Sequence, residues 1–169
     1  MSQNDVHIRA MEPEDLDFLY GMENDTEVWN VGNTSVPYSR YVLHDYIANS
    51  QNDIYHDGQV RLIVENVHGE AMGMVDVFDF NAQHRRAEVS VVMQSGFRRQ
   101  GYASAALSWV AAYAKRTLHL HQLYAIVAVD NEASLALFDK CGFEPTNRLK
   151  EWLFDGEKYN DAMVMHKIL

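Results

Sequence analysis

Val89-Ser90-Val91-Val92-Met93, followed by Arg98-Arg99-Gln100-Gly101-Tyr102-Ala103, is the stretch that decides the fold. The first run is apolar and reads as a strand. The second leads into an Ala-rich pattern with Leu107, Val110, Ala111, Ala114 and Leu118 at helical spacing. Strand, basic glycine turn and helix in that order build an anion site from backbone amides. The first N–H groups of a helix have no internal partner, and the dipole is positive there. Gly101 has no side chain to block a phosphate, and Arg98 and Arg99 add positive charge. The turn therefore reads as a pyrophosphate site. It lacks the Gly-x-x-x-x-Gly-Lys-Ser/Thr spacing of a nucleotide P-loop.

Outward from this turn, residues 60–65, 71–80 and 86–93 read as three consecutive antiparallel strands, with turns at His68-Gly69 and 81–84. Upstream, residues 7–11 suggest a short strand. Pro13-Glu14-Asp15 opens a helix with an apolar stripe of Leu16, Leu19 and Tyr20. A turn-rich loop over 30–37 precedes a second helix over about 38–49, and 51–59 reads as loop. Downstream, 123–129 is an apolar strand suited to a central position. Asn131 caps a further helix that ends at Gly142. Residues 151–154, the turn Asp155-Gly156 and 159–168 read as a terminal hairpin. The pattern predicts one domain over 1–169, a mixed α/β (α+β) layer built on a single sheet.

Composition bounds the function. With 47% apolar and 22% charged residues the chain reads as globular. A net charge of −10 argues against non-specific nucleic-acid binding and suits a cationic substrate such as an amine. No segment is apolar enough for a membrane span or a signal peptide, and the single cysteine, Cys141, excludes an internal disulfide framework. Cytoplasmic localisation is the expectation. His119 and His121 lack zinc-site spacing, so no metal is expected.

Three motifs in this order resemble the GNAT (general N-acetyltransferase) superfamily over nearly the whole chain. Arg98 to Ala103 is similar to its acetyl-CoA loop. Asn131-Glu132-Ala133-Ser134 through Lys140-Cys141-Gly142-Phe143 is similar to its Asn-x-x-Ser…Gly-Phe segment. Asp155-Gly156 with Tyr159 and Asp161 resembles the closing hairpin of the branch that holds ribosomal-protein N-terminal acetyltransferases and bacterial spermidine N-acetyltransferases. His84-Arg85-Arg86-Ala87-Glu88 is similar to the spermidine group. The resemblance implies a mostly antiparallel sheet of about seven strands with about four helices. Its strands at Met93 and Leu123 would splay into a V that admits acetyl-CoA. Pantetheine would pair with Val91, Val92 and Met93 as an added strand. The pyrophosphate would rest on amides from Arg98 and Arg99 through Gln100, Gly101, Tyr102, Ala103 and Ser104. Asn131, Ser134 and Phe138 would line the other side.

Acetyl transfer to an amine needs a proton acceptor, donors for the developing oxyanion, and stabilisation of the departing thiolate. Glu88, on the strand leading to the cofactor, and Glu151, where the resemblance puts a base in the ribosomal group, are both candidates for the base. Deprotonation through water would make neither essential. A backbone N–H near Val91 or Val92 is the natural oxyanion donor by family geometry. Many relatives carry a tyrosine general acid where this chain has Phe138, which has no proton to give. Ser134, one turn earlier, is assigned to the thiolate; the alternative is that Ser134 bonds only to the helix backbone and Phe138 is core. The loop Asn33-Thr34-Ser35 lacks the acids with which spermidine enzymes bind polyamine, while Glu23, Asp25 and Glu27 lie nearby. Polyamines, small amines and protein N-termini are all open as acceptors. Binding of acetyl-CoA as a sensor without turnover is the rival class. Relatives are often dimers or larger, with the terminal strand as a plausible pairing edge.

Overall fold

The computed structural model describes residues 5–29 and 36–169. Seven strands form one sheet: β1 (His7–Ala10), β2 (Val60–Glu65), β3 (Ala71–Asn81), β4 (Arg86–Met93), β5 (Gln122–Ala128), β6 (Glu144–Phe154) and β7 (Tyr159–Ile168). The spatial order is β1-β2-β3-β4-β5-β7-β6. Only the β4–β5 pair is parallel; the others are antiparallel. Four helices have eight or more residues: α1 (Leu16–Glu23), α3 (Arg40–Asn49), α5 (Tyr102–Arg116) and α6 (Glu132–Lys140). Two single-turn α-helices, α2 (Thr26–Trp29) and α4 (Ile54–Asp57), and two 3-10 turns over Pro13–Asp15 and Ser95–Phe97 complete the set among the described residues.

Period-two alternation sorts the strand residues onto two faces. Ala87, Val89 and Met93 of β4 join Leu123, Ala125 and Val127 of β5 in the main core under α5 and α6. Leu107, Val110, Ala111 and Ala114 supply the buried stripe of α5. On the opposite face, α1 and α3 cover β2 and β3 through Leu19, Met22, Leu43, Ile63 and Met74, with Val92 of β4 at the margin. Beyond β4 this face carries half-buried side chains of β5, among them Tyr124 and Ile126. β3 and β4 approach closely at Gly73, where a Cβ would stand 2.4 Å from the Val92 carbonyl oxygen.

Four expectations shift. The terminal strand is not a sheet edge, because β7 lies between β5 and β6 and β6 is the outer strand. Residues 51–59 are not all loop, because Asp53 accepts a hydrogen bond from the Tyr55 N–H and starts α4, which Gly58 ends at φ +69°. A further turn of helix, α2, follows α1, with the Asp25 side chain accepting from the Glu27 N–H. The last hairpin starts at Glu144, seven residues before the expected strand. The polar run 144–150 pairs with β7 although little of it is buried. Apolar patterning cannot mark a strand whose two faces are both exposed. The loop Asn33-Thr34-Ser35 lies outside the described residues.

Candidate active site

β4 and β5 are hydrogen-bonded only over Arg86, Ala87 and Glu88 against Gln122, Leu123 and Tyr124. Both strands continue, β4 to Met93 and β5 to Ala128. They therefore diverge into a V whose apex is the Glu88–Tyr124 pair. Val91, Val92 and Met93 bond to β3 along one edge, through Val75, Met74 and Gly73. Their other edge faces the opening, where β5 has left.

At the mouth of the V, Gly101 adopts φ +89° and begins α5. That left-handed conformation is readily open only to glycine. Gly101 has no side chain to cap this helix, so among the described residues the amides of Tyr102, Ala103 and Ser104 have neither a helical partner nor a capping side chain. Arg99 is exposed at φ +61°. Arg98 is turned elsewhere. Its Nε donates to the Met93 carbonyl at 3.0 Å, and its guanidinium pairs with Glu27 at 3.3 Å and Asp25 at 4.0 Å. The Gln100 amide donates to the Gly96 carbonyl at 2.7 Å. The Ser104 hydroxyl lies 3.4 Å from Cys141 Sγ.

On the far wall, Asn131 Oδ1 accepts from the Ser134 N–H at 3.1 Å and caps α6. Ser134 is half-buried one turn into that helix. Phe138 is only 4% exposed and packs edge-to-face on Phe143 at 5.0 Å. It is a core residue, so it adds no polar group to the opening.

The two glutamates are separated by the fold. Glu88 sits half-buried at the apex. Its carboxyl is pushed up to about 7, chiefly by burial and further by the negative charge of Asp79; the Ile126 backbone N–H opposes the rise. Glu151 lies on β6, two strands from β5, exposed in a bulge at φ +49° where its N–H donates to Asp161 at 2.8 Å. Only Glu88 stands where β4 and β5 part.

Two neighbours of Glu88 escaped the sequence reading. Tyr124 on β5 donates its hydroxyl to Asp79 on β3, crossing β4. Beside it lies a cavity of about 360 Å³ lined by Arg86, Gln122, Tyr124, Thr146, Val164 and His166. The available signal was alternation: Tyr124 falls between Leu123 and Ala125 and so faces away from the core. The acids Glu23, Asp25 and Glu27 are engaged with cations, Glu23 with Arg61 and the other two with Arg98.

This geometry has clear relatives. Residues 5–144 match the Acetyltransferase (GNAT) domain family. The chain belongs to that family. It is 28% identical to spermidine N(1)-acetyltransferase of Vibrio cholerae over 160 residues, covering 94% of this chain and 90% of that protein. It is 29% identical to the Escherichia coli K12 protein of the same name, covering 97% and 86%. The crystal structure of the V. cholerae enzyme in complex with CoA and spermine superposes with a TM-score of 0.85 at 27% identity, covering 99% of this chain and 96% of that one. The chain lies close to the bacterial spermidine N-acetyltransferase branch of the GNAT superfamily. An open strand edge beside an uncapped helix N-terminus is a donor set that fits a pantetheine amide chain and a pyrophosphate. Among the described residues no group of three or more His, Cys, Asp or Glu side chains is arranged to hold a metal ion, and no helix is long and apolar enough to cross a membrane.

Proposed function

We propose that the chain is an acetyl-CoA-dependent N-acetyltransferase acting on a primary amine, with polyamines the favoured acceptor class. The observation that carries this reading is Glu88 at the apex of the splayed β4 and β5. Support for the acceptor comes from the spermidine-acetylating relatives and from the net charge of −10, which attracts polycations. Acetyl-CoA supplies the acetyl group as a thioester. The amine nitrogen bonds to the acetyl carbon as the carbon–sulfur bond breaks, the CoA sulfur leaves as thiolate, and the extra proton left on nitrogen passes to that sulfur to give the free thiol.

An ammonium has no lone pair, so the acceptor must first lose a proton. Glu88 takes it. A carboxyl that ionises near pH 7 is matched to this task, since it is partly ionised at neutral pH and still basic enough to drive transfer. The unpaired edge of Val91 to Met93 holds the pantetheine arm, with a β4 N–H aimed at the carbonyl oxygen. The amides of Gly101 to Ser104, with Arg99, take the pyrophosphate. Ser134 stands one turn into α6 as donor to the thiolate.

Replacing Glu88 by Gln removes the base and keeps the shape. Turnover is expected to fall by about 10²- to 10⁴-fold with acetyl-CoA affinity little changed. Turnover equal to wild type would contradict the role of Glu88. One observation favours a second reading, acetyl-CoA binding without transfer: Phe138, where relatives carry a tyrosine acid, is a buried core residue. Turnover with any amine rejects that reading.

A further inference from the structure

The side chain of Tyr124 forms a strap over the strand that carries Glu88. Its backbone is on β5, yet its hydroxyl donates to Asp79 on β3, so the ring must cross β4. The crossing point is fixed by register. Glu88 pairs with Tyr124 on one side and with Phe78, the neighbour of Asp79, on the other. Asp79 sits at φ +50° where the β3–β4 register slips between Phe78 and Asn81. An exposed carboxylate is free to turn into water, and the phenol keeps this one turned in toward the strap.

We infer that Tyr124 and Asp79 are positioning residues for Glu88: the strap across β4 fixes the Asp79 carboxylate beside the Glu88 carboxyl, as a second acidic group that the base faces. The inference rests on the reading of Glu88 as base. Charged and titratable groups on this face are few. Arg86 precedes Glu88 on β4, and Tyr124 and Asp79 flank it on β5 and β3. His166 lies beyond Tyr124 on β7, with its Nδ1 buried and unpartnered. Asp76, two residues before Phe78, is occupied by Arg61 from β2, which also holds Glu23 of α1. Asp79 is therefore the negative charge free to act on Glu88, and it disfavours the second negative charge.

The test is direct titration of the Glu88 side chain by carboxyl ¹³C NMR, with the resonance assigned by its loss in Glu88→Gln. Wild type, Asp79→Asn, Tyr124→Phe and the double variant are compared. The midpoint is expected to fall by about half a pH unit or more in Asp79→Asn. It should fall in Tyr124→Phe too, and the double variant should fall no further than Asp79→Asn, because the tyrosine acts through the aspartate. The acid limb of kcat/KM should move with it. An unmoved midpoint in Asp79→Asn, or additive shifts in the double variant, would overturn the inference. If Glu88→Gln instead retains full turnover, the base reading fails while the titration still decides the strap.

Discussion

The raised Glu88 carboxyl bears on the proposed base role and, separately, on stability. It ionises near pH 7 in the folded chain against an ordinary value of 4.5. Between those values the folded state holds a proton that the unfolded state has lost. Stability therefore falls as pH rises from 4.5 to 7, and the stabilising contribution is complete only below 4.5. Urea midpoints of wild type measured from pH 4.5 to 8 should decline relative to Glu88→Gln, which has no such proton; parallel curves would contradict the raised value. Arg61 shows the opposite use of charge. It is held by Asp76 at 2.7 Å and by Glu23, with all three side chains largely buried. Arg61→Met takes the cation away from Asp76 in a largely buried ion pair and is expected to cost about 3 kcal/mol in urea unfolding. Sequence left Glu88 and Glu151 both as candidates for the base, with Glu88 slightly ahead. The fold separates them, because the bulge that exposes Glu151 arises from pairing between β6 and β7 and leaves no local sequence signature.

Among the elements, the strand–turn–helix unit from β4 to α5 was the most legible. Its alternation, its glycine and the periodicity of α5 all point the same way. The Asn131 cap and the Gly142 stop of α6 were equally plain, since capping chemistry is local. The start of β6 was not legible, because residues 144–150 are held by the β7 ladder rather than by burial. Nor was the direction of Arg98. Sequence places it in a phosphate turn, but the partners that draw it to the Met93 carbonyl, Asp25 and Glu27 come from a distant segment. In the proposed function the phosphate is therefore assigned to the backbone at Gly101 more than to the Arg98 side chain. Gly101→Val forces a β-branched residue into φ +89°, a conformation that disfavours L residues by roughly 1–2 kcal/mol. Acetyl-CoA affinity by calorimetry is expected to drop at least tenfold, whereas unchanged affinity would remove this turn from the site.

For the whole molecule, the sheet order follows from simple rules. A hairpin-linked meander supplies β2 to β4, and the crossover through α5 makes β4–β5 the one parallel pair. That single parallel contact, short and then broken, creates the V. The proposed cationic acceptor is supported by the negative overall charge and by the likeness to spermidine N(1)-acetyltransferases. The most direct measurement is thiol release from acetyl-CoA, with product mass, across spermidine, spermine, small metabolic amines and peptides with free N-termini. Release matched one-for-one by an acetylated polyamine is the expected result. Acetyl-CoA binding with no thiol released for any amine in that panel would contradict the account and leave Phe138 as the sign of a binding protein.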